Sequence, residues 1–195
     1  QNILNIPDDK IKAIINVQTL NDPEYVNNNY VVLATRRGII KKTSLEAYSR
    51  PRANGINAIT VKDGDELLEA LITTGNDQLL LAARKGRCCR FEETDARALG
   101  RTASGVRGIN IDEDDEVVGA ICYSPGAEDA AQHTVLVVSE NGYGKRTGVD
   151  EYRKTGRHCK GVKTIAITEK TGYVVATEVI TDEDDLMIIN KSGTT

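Results

Sequence analysis

The chain has 195 residues, 39% of them hydrophobic but only 4% aromatic with no Trp, and a formal net charge of −4 at pH 7. That composition supports a packed core, yet it counts against a WD40 array marked by Trp-Asp pairs and against a single-strand binder built on stacking rings. No apolar run approaches a membrane span and no basic-plus-apolar leader opens the sequence, which starts at Gln1, so a piece of a larger cytoplasmic protein is expected.

Short apolar runs at 1–6 and 11–17 are expected to be the last two strands of a blade whose hairpin lies upstream. Residues 20–29, rich in Asn, with Asp and Pro, are expected to be an exposed, mobile insertion, as are residues 124–132. Between and beyond these insertions one signature recurs: an apolar strand, a two-residue polar turn closed by glycine, and a second strand. It reads Tyr30-VVLATRRGIIKK, Gln78-LLLAARKGRCCR, Thr134-VLVVSENGYGKR and Asp185-LMIINKSGTT, with Gly38, Gly86, Gly142 and Gly193 closing the turns. Such a sequence predicts a β-hairpin. Recurrence roughly every fifty residues means that one repeat is one supersecondary unit, which buries its face against its neighbours.

After each of the first three hairpins a polar connection returns to a second glycine, Gly55, Gly105 or Gly161, and two more strands are predicted. They fall at 56–61 and 66–73, at 106–111 and 116–123, and at 162–168 and 173–180. Four short strands per repeat is the strand count of a propeller blade. The fold class is therefore all-β, a propeller-like array of about four blades forming a single domain over 1–195, with hairpins starting near 30, 78, 134 and 185. Tyr48 and Tyr152 stand ten residues after Gly38 and Gly142, a recurrence that predicts a shared packing role.

Cysteine and histidine chemistry is sparse. Cys88, Cys89, Cys122 and Cys159 make no Cys-x-x-Cys pair, and His133 and His158 do not complete a ligand set, so no metal site is expected. Cys88 and Cys122 are expected to be small packing residues in strands, with the thiols reduced. No Walker loop or Gly-x-Ser-x-Gly is present, and no catalytic residue is expected in this chain.

The distribution of charge is more informative than its sum. The windows 36–52, 84–107 and 140–163 hold 20 of the 25 Lys and Arg residues but only 7 of the 29 Asp and Glu residues. The basic residues of these windows include Arg97 and Lys163. The candidate binding set drawn from them is Arg36, Arg37, Lys41, Lys42, Arg50 and Arg52, then Arg84, Lys85, Arg87, Arg90, Arg101 and Arg107, then Lys145, Arg146, Arg153, Lys154, Arg157 and Lys160. The acids gather elsewhere in the repeat, at 63–69, 112–116 and 182–185. Stacking in register turns this periodicity into a basic rim with an acidic edge opposite, and the turn and outer-strand charges are expected to be solvated. A curved basic stripe suits the phosphate backbone of duplex DNA, held bent.

The stretches Ala34-TRRGIIKKTSLEAYSRPRANGI, Ala83-RKGRCCRFEETDARALGRTASGVRGI and Asn141-GYGKRTGVDEYRKTGRHCKGV resemble the C-terminal DNA-wrapping domain of the DNA gyrase A subunit, in the type IIA topoisomerase family. The likeness spans the chain. It implies a β-pinwheel, a disc whose blades exchange strands and whose basic outer rim bends duplex DNA. It also implies two partners, the rest of the gyrase A subunit, together with the gyrase B subunit. The function implied is ATP-dependent negative supercoiling by a bacterial holoenzyme that uses ATP and Mg. No cofactor and no cleavage chemistry are implied for this chain itself. The Gln-Arg-Arg-Gly-Gly-Lys-Gly-like box of gyrase first blades does not occur here, as in a stretch that begins late in that blade. Two other readings remain at this point: the C-terminal domain of a topoisomerase IV A subunit, which would capture a DNA segment, and a protein-binding propeller whose acidic edge recruits basic partners.

Overall fold

The computed structural model describes residues 10–194. A short helix α1 (Pro23–Asn28) is followed by eleven strands in three antiparallel sheets. The first hairpin is β1 (Tyr30–Thr35) with β2 (Ile39–Ser44), joined on its inner side by β3 (Leu67–Thr73). The second is β4 (Gln78–Ala83) with β5 (Arg87–Glu92); β6 (Val106–Arg107) follows, then β7 (Val117–Tyr123). The third is β8 (Thr134–Ser139) with β9 (Gly144–Gly148), followed by β10 (Val162–Lys163) and β11 (Val174–Ile180).

Strand order shows how the repeats interlock. The sheets run β3-β1-β2-β6, β10-β5-β4-β7 and β11-β8-β9. The second repeat therefore lends its outer strand β6 to the first hairpin, and the third lends β10 to the second. Each loan is only two residues long, Ile39 opposite Arg107 and Cys88 opposite Val162. The strands predicted over 106–111 and 162–168 shrink to these pairs, and 56–61 forms none. Close approach explains why a glycine precedes each loan. Gly105 and Gly161 have φ of +95° and +77°, and a Cβ there would lie 2.4 Å from the Ile40 carbonyl oxygen and 2.5 Å from that of Cys88.

Side-chain alternation builds the core between sheets. Leu79 and Leu81 of β4 face the first sheet and form one cluster with its Val32 and Ile40 and with Phe91, Ile109 and Val117. Leu80, between them, faces the third with Val135, Val137, Val149 and Val174. Each fully buried Leu or Phe side chain contributes roughly 1.5–3 kcal/mol through removal from water. A strand covered on both faces reads as a continuous apolar run, which is the pattern of QLLLAA in β4, whereas β8 alternates between buried and half-buried positions. In every sheet the register shifts by a bulge beside the hairpin tip, at Ala34/Thr35, Ala82/Ala83 and Val174/Ala176.

Several expectations for the flanks change. Residues 1–6 lie outside the described residues, and 11–17 form no strand; Ile15 and Val17 instead pack against a cluster of Val26, Val31, Leu33 and Leu45. The insertion expected at 20–29 is partly ordered as α1. Asp22 caps it by accepting from the Glu24 amide at 3.0 Å, Pro23 supplies its first turn, and Val26 is buried. Residues 124–132 contain a 3-10 turn whose Ala130 is buried. At the fourth hairpin the turn is present, with Gly193 donating to the Asn190 carbonyl at 2.9 Å, but no strand flanks it and Leu186, Met187, Ile188 and Ile189 are exposed. Three sheets form among the described residues, one fewer than the blades expected.

Candidate nucleic-acid interface

The basic residues divide into three environments, and the first is the interior. Lys41 is fully buried; its ammonium donates to the carbonyls of Ala58, Arg101 and Gly100 and lies 3.5 Å from the Tyr48 hydroxyl. Burial, reinforced by the Arg101 charge, brings its pKa down to about 8. Lys42 pairs with the fully buried Glu93 at 3.0 Å, which also accepts from the Thr73 hydroxyl and the amides of Gly75 and Asp77. Arg90 donates from Nε to Gln78 at 2.8 Å and from NH1 to the carbonyls of Val149 and Tyr152 at 2.8 and 3.0 Å. The expectation that these outer-strand charges are solvated fails for all three: the next repeat folds over them, and a phosphate cannot reach them. Lys41, Lys42 and Arg90 are therefore removed from the binding set.

The second environment is the hairpin tips, and it overturns the separation of a basic rim from an acidic edge. Arg36 bridges Glu66 and Glu116 at 3.0 and 3.3 Å. Arg37 takes Asp65 Oδ1 on its amide at 2.9 Å and donates its guanidinium to the carbonyls of Asp115 at 2.6 Å and Glu113 at 3.2 Å. Lys85 repeats the arrangement, its amide on Asp115 at 3.1 Å and its ammonium on Asp114. That hydrogen bond raises the Lys85 pKa and lowers that of Asp114. Arg84 lies over the Tyr173 ring at 4.1 Å. The acidic turns of the first two repeats thus sit against the tips, where they offset the charge of Arg36, Arg37 and Lys85.

The third environment is the outer margin, formed by the return loops that end in β6 and β10. These loops run along the hairpins through parallel bridges, Lys42 to Ala98 and Arg90 to Lys154. Each also reaches the loop of the preceding repeat. Arg101 donates to the Asn57 carbonyl at 2.9 Å, and at the corresponding place Arg157 donates to the Arg107 carbonyl at 2.7 Å and to that of Asp95 at 2.8 Å. The loops are thereby joined into one margin crossing all three repeats. Exposed along it are Arg50, Arg52, Arg107, Arg153 and Lys160, none with an ion pair among the described residues. Arg87 is exposed opposite Lys163 and donates to the Gly161 carbonyl at 3.0 Å. Lys154 is exposed but held by Glu92 at 2.6 Å.

In the third sheet Lys145 and Arg146 lie on the open strand β9, Lys145 donating to the Thr164 carbonyl at 3.1 Å and Arg146 pairing with Asp182 at 2.6 Å. Two exposed cations on the margin, Arg97 and Lys163, are missing from the sequence-derived set. Position alone would have found Lys163, because it follows Gly161 by two residues as Arg107 follows Gly105.

Among the described residues no group of three or more His, Cys, Asp and Glu could hold a metal ion. Burial pushes the Cys88 thiol up to about 12, so it is no nucleophile, and Cys122 is raised as well, by burial and then by Asp77. The expectation of four reduced thiols is corrected, since Cys89 and Cys159 form a disulfide. Strand exchange brings together residues 70 apart in sequence, which no local spacing rule detects. Tyr48 and Tyr152 pack at the ends of equivalent 3-10 turns, Tyr48 donating to the Ala58 carbonyl at 3.1 Å and Tyr152 lying 3.2 Å from the Thr147 hydroxyl. Burial raises both phenol pKa values. Among the described residues no helix is long and apolar enough to cross a membrane.

This arrangement has known counterparts. The chain is 44% identical to the DNA gyrase A subunit of Staphylococcus epidermidis over 186 residues, 95% of this chain and 20% of that protein. The Staphylococcus aureus counterpart is 42% identical over the same share. The chain thus spans about one fifth of the length of these curated relatives. Among solved structures, the C-terminal domain of a DNA topoisomerase IV superposes with a TM-score of 0.79 at 25% identity, covering 93% of this chain and 54% of that one. A DNA gyrase A C-terminal domain gives 0.77 at 25% identity, covering 94% and 58%. The model of the DNA gyrase C-terminal domain, a β-propeller, matches residues 29–74, 77–124 and 133–181, which are the three interlocked repeats, and the chain belongs to that family.

Proposed function

We propose that this chain binds duplex DNA along its outer margin and bends it, acting as the C-terminal domain of a gyrase A subunit. The observation that supports this reading is the joining of successive return loops by Arg101 and Arg157, which would align the exposed cations of the three repeats as a basic track. Phosphates at regular intervals along a duplex are the complement of such a track, and contacts with them do not depend on base sequence. Bending a few tens of base pairs costs on the order of 1–6 kcal/mol, which phosphate contacts from three repeats offset. The chain's own role is binding. Cleavage, ATP and Mg belong to the remainder of the gyrase holoenzyme, with which it would support negative supercoiling in a bacterial cytoplasm.

A salt titration of duplex binding tests the track. The logarithm of the affinity should fall with log salt by about 0.9 per phosphate neutralised, and the double variant Arg107→Ala, Lys163→Ala should flatten that slope by about two. Arg36→Ala with Arg37→Ala should alter it less, since those guanidinium groups are engaged by acidic turns. Equal slopes for the wild-type chain and the margin variant would overturn the reading. The likeness to the topoisomerase IV domain favours a second reading, in which the margin captures a DNA segment without wrapping it. Closing nicked circles in the presence of the chain separates the two: wrapping shifts the linking number of the products, and capture of a straight segment does not.

A further inference from the structure

Cys89 stands three residues after its hairpin glycine, the place occupied by Lys41 in the first repeat and Lys145 in the third. In the first sheet that residue fastens the return loop of the next repeat, because the Lys41 ammonium grips the carbonyls of Gly100 and Arg101. In the second sheet Cys89 reaches the corresponding loop. Its sulfur lies 3.9 Å from the Gly156 carbonyl and is bonded to Cys159 across a Cα–Cα separation of 6.4 Å, within the ordinary range for a disulfide. One repeat therefore closes its margin with an ammonium and the next with a bond that two electrons can open.

We propose that Cys89 and Cys159 form a redox-active pair that latches the basic return loop 153–163 onto the second hairpin when oxidised and releases it when reduced, with a small-molecule disulfide as oxidant. The consequence for DNA rests on the margin reading above; the latch itself does not. Burial assigns the roles. Cys159 is half-buried and flanked by the exposed His158 and Lys160, whereas Cys89 is fully buried beneath it. The Cys159 thiolate attacks one sulfur of the small disulfide, whose S–S bond breaks to release one thiolate. The Cys89 thiolate then attacks Cys159 Sγ in the mixed disulfide, the protein S–S bond forms, and the second small thiolate leaves. The protein loses two protons and passes two electrons to the reagent; a dithiol reverses both steps. The Thr155 hydroxyl, 3.1 Å from Cys159 Sγ, is placed to donate to the attacking thiolate. The other two cysteines do not compete, since Cys88 is buried and Cys122 directs its sulfur at Asp77, 3.5 Å away.

The test equilibrates the chain with oxidised glutathione or with a phosphine reductant and reads three signals. A non-reducing peptide map should show Cys89 linked to Cys159 only after oxidation. Trypsin should cut at Arg153, Lys154, Arg157 and Lys160 several-fold more slowly in the oxidised chain. Duplex affinity should rise about fivefold on oxidation, the gain from ordering roughly one long side chain in advance. Cys159→Ser, at a position partly open to solvent, should abolish all three differences. Absence of the linked peptide, loop cleavage indifferent to redox state, or the same redox response in Cys159→Ser would each overturn the latch. Slowed cleavage without duplex binding in either state would support the latch and overturn the margin.

Discussion

Lys41 and Lys42 of the first repeat and Lys145 and Arg146 of the third occupy the same two places after a hairpin glycine, yet their surroundings are opposite. The first pair is buried, one side chain caged by carbonyls and the other paired with Glu93. The second pair is exposed on β9, whose sheet has three strands where the other two have four. What differs is the cover. Over Lys42 lies the 3-10 turn Glu93–Asp95 of the next repeat, and over Arg90 the turn Val149–Glu151. Arg146 pairs with Asp182, itself almost fully exposed, and donates from Nε to the Thr134 hydroxyl of its own hairpin at 2.5 Å. A cation at this position is an internal tie when a following repeat folds across it and a solvated charge when none does.

Substitution makes the contrast measurable. Lys42→Ala removes the cationic partner of the fully buried Glu93 carboxylate, and breaking a buried pair from one side costs about 3–5 kcal/mol. Arg146→Ala breaks a pair exposed on both sides and should change stability by no more than about 0.5 kcal/mol. Urea unfolding of the two variants beside the wild-type chain gives both numbers, and similar losses would contradict the division between covered and open repeats. A smaller, backbone version of the comparison sets Gly161 against Gly55, whose φ values are +77° and +76°. Alanine at either position pays about 1–2 kcal/mol for the left-handed conformation. At Gly55 a Cβ would meet nothing within 4 Å, but at Gly161 it would meet the Cys88 carbonyl and force β10 off its hairpin. Gly161→Ala should therefore lose more stability than Gly55→Ala and should also speed amide exchange at Thr164, which donates to the Gly86 carbonyl.

The first three hairpins were legible because a short turn closed by glycine after an apolar run is a local signal, repeated in register. Strand exchange was implied by the family resemblance, but the strands that carry it were not legible in the local pattern. The lent strands are two residues long, and their partners lie more than sixty residues away, so β6 and β10 read only as the starts of longer strands. The same non-locality hid the fate of the charges. Periodicity places Lys42, Arg90 and Arg146 in one column, but whether a charge is solvated depends on what the next repeat lays over it. It also hid the tips, where Asp65 and Asp115 fall in the acidic stretches of the sequence yet return to the Arg37 and Lys85 amides. The outer margin was nearer to legible. Arg107 belongs to the sequence-derived set, and an alignment on Gly105 and Gly161 brings Lys163 beside it.

The pH dependence of stability tests Lys41, and its sign distinguishes a buried ammonium from a surface one. Around its nitrogen stand three carbonyls and the Tyr48 hydroxyl, with the Arg101 charge nearby and no carboxylate among the groups it touches. The carbonyl dipoles favour the charged form, but burial and Arg101 prevail, and the pKa falls from 10.5 to about 8 on folding. Below pH 8 both states hold the proton, and the cost of burying it is constant. Between pH 8 and 10.5 the unfolded chain still holds a proton that the folded chain has released, so this group's contribution to stability rises with pH. Above that window both states are neutral and the contribution levels off. Lys41→Met keeps the length of the side chain and removes the titration, so the unfolding free energy of the wild-type chain minus that of the variant should climb between pH 8 and 10. A difference that stays flat, or that falls as for a lysine held by a carboxylate, would mean that the charge is not buried, and the cage of carbonyls would then be open to water.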